Sequence, residues 1–130
     1  MFTIEQIKAA HSKVKSGADF PNYVQDLIKL GVVRYNSFVT DGHIEYEGDN
    51  NYHIQSNPNY EALPVSQISD IPAFQHYLKL HQQGQTNYPT FCGHAAETGV
   101  EKWTVDMSKM TCTYYDREGN EMLREEIPGS

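Results

Sequence analysis

Two stretches of this chain run in step at a constant separation of 68 residues. Phe20-Pro21-Asn22-Tyr23-Val24 … Leu30-Gly31-Val32-Val33-Arg34-Tyr35 is answered, without a gap, by Tyr88-Pro89-Thr90-Phe91-Cys92 … Thr98-Gly99-Val100-Glu101-Lys102-Trp103. Proline, glycine and valine match identically, and the aromatic and basic positions match in kind. An internal repeat constrains the fold more than any single motif, because it defines the unit from which the structure is assembled. At 130 residues the chain can bury roughly two-thirds of its unfolded surface as one domain. Each half alone is near the size at which a single core becomes marginal. We therefore expect a single domain, residues 1–130, with a shared core. The first repeat covers about 1–56, the connection about 57–66 and the second repeat about 67–130.

Local signals give both halves the same plan. Thr3 with Gln6 three residues later is a capping box for a first helix. Its stripe of Ile4, Ile7, Ala10 or His11, and Val14 predicts one buried face, with a stop near Ser16-Gly17. Asp19 and Pro21 open a second helix that ends at Gly31, with Val24, Leu27 and Ile28 inward. Val32 to Thr40 reads as a strand. Asp41-Gly42 then reads as a two-residue turn that sets Val39 opposite Ile44 and Ser37 opposite Tyr46. A third strand around Tyr52-His53-Ile54 continues the alternation. Tyr35, Val39, Ile44, Tyr46, Tyr52 and Ile54 fall on one face, and Arg34, Asn36, His43, Glu45, Glu47 and His53 on the other.

The second half restarts at Asp70 and Pro72 with a helix carrying Phe74, Tyr77, Leu78 and His81 inward. A shorter helix from about Pro89 to Glu97 follows. A hairpin across Ser108-Lys109 then pairs Trp103 with Tyr114, Val105 with Cys112 and Met107 with Met110, and a last strand runs from about Glu121 to Glu126. The predicted class is α+β: a duplicated unit of helix, helix and three-stranded antiparallel meander, in a pseudo-twofold arrangement.

Ten basic against 17 acidic residues leave a net charge of −7, which argues against a phosphate-binding surface and nucleic-acid recognition. No apolar run approaches the roughly 20 residues that span a bilayer. The N-terminus Met1-Phe2-Thr3-Ile4-Glu5-Gln6 lacks the regions of a signal peptide. The expected compartment is cytoplasmic, with no membrane partner. Cys92 takes the repeat position of Val24 and reads as a buried small hydrophobe. Cys112 lies in an alternating strand, so a disulfide is not expected in a reducing compartment.

Gly99-Val100-Glu101-Lys102-Trp103, Val105-Asp106, Met110-Thr111-Cys112-Thr113-Tyr114-Tyr115-Asp116 and Glu126-Ile127-Pro128 make a recognisable pattern in the C-terminal half. Ala10-His11-Ser12-Lys13-Val14-Lys15-Ser16-Gly17, Asp19-Phe20-Pro21 and Thr40-Asp41-Gly42 extend it into the first half. The chain thereby resembles the YdfO/YbcV-like family of small bacterial proteins, several prophage-encoded and often labelled "phage envelope protein". The resemblance implies a compact α+β fold and a bacterial or prophage setting. It brings no catalytic residues and no cofactor.

Four constellations invite chemistry. His43, Glu45 and His53 fall on one predicted sheet face, with Glu45 opposite His53. Two imidazoles and a carboxylate can hold zinc or a similar ion, although a cross-strand His–Glu pair on a polar face accounts for the same residues. Tyr35 and Trp103 are repeat equivalents that could line a ligand groove between the halves, or simply fill the core. Cys92 and His94 are two apart on a helix, and their side chains diverge too far to act as nucleophile and base. Asp106 and Asp116 each adjoin a predicted turn, which explains them better than paired acid–base work does. No phosphate loop, nucleophile elbow or zinc-finger spacing is present.

The leading reading is a non-catalytic binding or interaction protein, with an unknown protein partner or small ligand and no cofactor; a prophage accessory role follows from the resemblance. An uncovered sheet edge or an apolar patch such as Phe38 would favour a homodimer. The alternative is a small metal-dependent enzyme or metal-binding protein using His43, Glu45 and His53.

Overall fold

The computed structural model describes residues 2–15 and 19–127. Helix α1 (Ile4–His11) opens with the capping box: the Gln6 N–H donates to Thr3 Oγ1 at 3.2 Å and the Thr3 N–H to Gln6 Oε1 at 2.9 Å. Ile7 and Ala10 are its buried positions. Val14 lies beyond its end, and the expected stop at Ser16-Gly17 falls outside the described residues. Helix α2 (Phe20–Leu30) carries Pro21 in its first turn and closes at Gly31. Asp19 stands at its N-cap, but its carboxylate accepts from the Lys15 N–H at 2.9 Å rather than capping the helix. Tyr23, Val24 and Leu27 face inward, whereas Ile28, expected inside, is 38% exposed. The helix is turned toward Tyr23, which meets the His11 ring edge-on at 5.3 Å and bonds to the Tyr46 hydroxyl.

Strands β1 (Val32–Phe38), β2 (Ile44–Gly48) and β3 (His53–Gln55) form the first meander. Helices α3 (Ile71–Gln82) and α4 (Tyr88–Glu97) follow, then β4 (Lys102–Asp106), β5 (Thr111–Tyr115) and β6 (Glu121–Glu126). The two meanders join into one antiparallel six-stranded sheet of order β3-β2-β1-β4-β5-β6. The join is the β1–β4 pair, where Asn36 faces Thr104, the residue 68 positions on. Asp70 caps α3 through the Ala73 N–H at 3.1 Å, and Asn87 caps α4 through the Thr90 N–H at 2.9 Å.

Two registers differ from expectation. Ser37, not Val39, lies opposite Ile44, and Tyr35, not Ser37, lies opposite Tyr46. Val39 is drawn the other way: its N–H donates to the Glu101 carbonyl at 2.8 Å and its carbonyl accepts from the Tyr60 hydroxyl. The connection between the halves also takes the turn's carbonyls, with the Asn59 and Tyr60 N–H groups on Asp41 and the Leu63 N–H on Thr40. In the β2–β3 pair Glu47, not Glu45, faces His53, because the connection runs through a tight turn at Asp49–Asn51. Both slips are two residues, an even number, so every side chain keeps its predicted face. The β4–β5 register is the expected one, with Trp103 opposite Tyr114 and Val105 opposite Cys112.

One cluster of buried residues unites the four helices with alternate strand positions. Phe74, Val24, Leu27, Val105, Val100 and Ala95 are fully enclosed. Burying a large apolar side chain of this kind contributes roughly 1.5–3 kcal/mol. Phe74 meets Tyr114 edge-on at 4.8 Å and Phe91 at 5.9 Å, which ties α3 to α4 and β5. At Gly99, where φ is 91°, a Cβ would stand 2.6 Å from the Ile68 carbonyl oxygen. Only glycine lets the segment before α3 cross so close to the α4–β4 corner. The helices thus cover one face of the sheet, and the intervening strand positions look the other way.

Candidate functional site

The uncovered face is a grid that can be read directly from the strand registers. One row runs Phe38–Lys102–Tyr115–Glu121 across β1, β4, β5 and β6. The next runs Gln55–Glu45–Asn36–Thr104–Thr113–Arg124, and the third His53–Glu47–Arg34–Asp106–Thr111–Glu126. Side-chain bonds knit the middle of it. Thr104 Oγ1 donates to Asn36 Oδ1 at 2.6 Å, Asn36 Nδ2 to Glu47 Oε2 at 3.3 Å, and Arg34 Nη1 to Glu47 Oε1 at 3.0 Å. Arg34 Nε also lies 3.8 Å from Asp106 Oδ2, so its cation sits between two carboxylates.

At the end of the first row, Lys102 Nζ lies over two rings, 5.9 Å from the Phe38 centroid and 5.4 Å from that of Tyr115. His43 stacks on Phe38 at 4.4 Å, nearly parallel, and its Nδ1 is 2.5 Å from Asp41 Oδ1. The Asp41 carboxylate also accepts from the His43 backbone N–H. These bonds, the His43 side chain first, hold the Asp41 carboxyl below its ordinary value. Gly42, at φ 76°, makes the corner possible: a Cβ there would be 2.6 Å from the Tyr60 ring.

The residues singled out from sequence fall as follows. His43 precedes β2 and is engaged by Asp41. Glu45 faces Gln55, and His53 faces Glu47 at the sheet edge, so the expected Glu45–His53 opposition does not form. Among the described residues, no group of three or more His, Cys, Asp or Glu side chains is placed to hold a metal ion. Tyr35 and Trp103 share the inner face and are 5% and 7% exposed. Each is built into the core, Tyr35 against Tyr46 and Trp103 among Tyr88, Phe91 and Tyr114.

Cys92 is buried and bonds with the Tyr60 and Tyr88 hydroxyls, while His94 stacks on Tyr77, away from it. The aspartates serve turns. Asp106 Oδ1 accepts from the Ser108 and Lys109 N–H groups, and Asp116 Oδ1 from those of Glu118 and Asn120. Sequence reasoning did not single out Lys102 or Tyr115. The β4–β5 register already set them opposite one another, but the third member, Phe38, arrives only through the β1–β4 join.

A six-stranded antiparallel sheet with helices on one face and a bonded polar–aromatic grid on the other places the chain in the two-layer α+β class. The family model described as "Protein of unknown function (DUF1398)" matches residues 8–126, and the chain belongs to that family. It is also similar to two mycobacterial proteins, uncharacterized protein Rv2012 of Mycobacterium tuberculosis (strain ATCC 25618 / H37Rv) and uncharacterized protein Mb2035 of Mycobacterium bovis. Each is 32% identical over 56 residues, 39% of this chain and 34% of the relative. The chain thus spans about a third of the length of these relatives in the match. No helix among the described residues is long and apolar enough to cross a membrane.

Proposed function

We propose that this is a non-catalytic binding protein of the bacterial cytoplasm that presents its uncovered sheet face to a ligand or partner. One observation carries the reading. All four helices contribute to a single core against the inner face, while the outer face keeps an ordered set of charged, amide and aromatic side chains centred on Asn36 and Thr104. Such side chains on an open sheet are held at fixed spacing by the strands, which suits recognition more than turnover. The prophage setting implied by the sequence resemblance makes a host or phage component the first partner to look for.

The test compares Thr104→Arg, at the centre of the grid, with Gln75→Arg on α3, both checked for unchanged folding. Wild-type protein and the two variants are used in affinity capture from bacterial lysate and in a thermal-shift screen of metabolites. A specific capture or saturable shift that Thr104→Arg removes and Gln75→Arg keeps is the expected result. Loss with Gln75→Arg alone would move the binding surface to the helices. A repeatedly empty capture together with a flat screen would overturn the reading.

A further inference from the structure

We propose that Lys102 is the anchor of a binding site for a small carboxylate, an inference that rests on the outer face being the binding surface. The offset of 68 residues relates Arg34 to Lys102, Asp106 to Phe38 and Glu47 to Tyr115. The two positions are therefore comparable sites on one sheet, and their surroundings are opposite in kind. Arg34 has a carboxylate on each side, Glu47 at 3.0 Å and Asp106 at 3.8 Å. Lys102 has an aromatic ring at each corresponding place, Tyr115 and Phe38.

Rings orient an ammonium group and keep it near the sheet, but they accept none of its three N–H bonds and leave its charge whole. Among the described residues Lys102 forms no ion pair. Two acidic groups nearby in the register are engaged elsewhere. Glu121, opposite Tyr115, is bonded by Arg124 at 2.8 Å, and Asp41 by His43. One half of the grid thus supplies its own counter-charge, and the other half holds a positioned cation without one.

The ligand class follows from what surrounds that cation. Lys102 supplies a single ammonium between the two rings, and the Arg124 guanidinium beyond Tyr115 is taken up by Glu121, so the site suits a single negative charge rather than a phosphate. The chain's net charge of −7 opposes any polyanion. A carboxylate bound to Nζ at the edge of the Phe38–Tyr115 pair meets both conditions.

The experiment is an NMR titration of the full chain with sodium benzoate and sodium acetate as probes, at constant ionic strength, with inorganic phosphate as the contrasting anion. Saturable shifts confined to Lys102, Phe38, Tyr115, His43 and adjoining amides are expected with the carboxylates. Lys102→Met should weaken binding by about tenfold or more, as loss of a charge-assisted bond requires, while Lys79→Met, which removes the same charge from the exposed side of α3, leaves it within about threefold.

Carboxylate shifts that survive Lys102→Met in a folded variant, or that never saturate, would overturn the proposal. So would tighter binding of phosphate. Shifts elsewhere on the outer face would sink the Lys102 site and leave the outer face as the binding surface. Shifts confined to the helices would sink both.

Discussion

At the scale of single residues, depth in the core decides how readily a side chain ionises. The two thiols illustrate it. Burial pushes Cys112 up to about 12, with the Tyr114 side chain acting in the opposite sense, and burial raises Cys92 as well. Neither forms a disulfide. A thiol reagent such as Ellman's at pH 8 should leave both unmodified in the native protein and titrate both in denaturant, since the thiolate is the reacting species. Rapid native labelling of either would mean the core opens locally.

Partly enclosed imidazoles bear on stability through the same cause. His81 is stacked on Phe91 at 4.4 Å, with Nδ1 3.1 Å from the Thr86 carbonyl. Burial lowers its pKa below 6.5, and burial lowers that of His11. The unfolded chain therefore binds protons that the native one refuses, and stability should fall as the pH drops below about 6.5 toward the folded-state values. Thermal midpoints between pH 7.5 and 5 should show that decline. His81→Phe, which keeps a ring on Phe91, should flatten it. An unchanged slope would mean that other groups dominate in this window.

At the scale of elements, caps and glycines set the helix ends and the sheet sets which faces meet. Asp70 holds the start of α3 through one bond to the Ala73 N–H. Asp70→Ala should cost about 1 kcal/mol, seen as a lower urea midpoint with an unchanged slope. Most of this scale was legible in the sequence. The capping box at Thr3, the helix end at Gly31, the Trp103–Tyr114 register and the turn roles of Asp106 and Asp116 all follow from neighbours within a few residues. The misplacements have one cause. Val39 leaves the β1–β2 hairpin because Glu101 and Tyr60, distant in sequence, take its backbone groups. Ile28 is displaced from the inner face by Tyr23, whose partners His11 and Tyr46 lie on other elements. Local turn chemistry cannot register such competitors.

At the scale of the whole molecule, the two halves share one sheet and one core. Separating them would expose β1 and β4, the two central strands, as bare edges and uncover the aromatic ring cluster around Trp103. Residues 1–66 and 67–130 expressed separately should therefore lack a cooperative thermal transition. A sharp transition in either half by circular dichroism would show that the core is divisible.

What the sequence by itself determined is the alternation of faces and the order of elements, because a two-residue period and helix caps are properties of short stretches. It also set Arg34 and Lys102 at matching places in two stretches that run in step 68 residues apart. Only the tertiary structure decided what surrounds them, two carboxylates in one case and two rings in the other. Those neighbours come from strands up to 72 residues apart in the chain, and cross-strand contact depends on which edges pair, a choice made by the shared core rather than by any local signal.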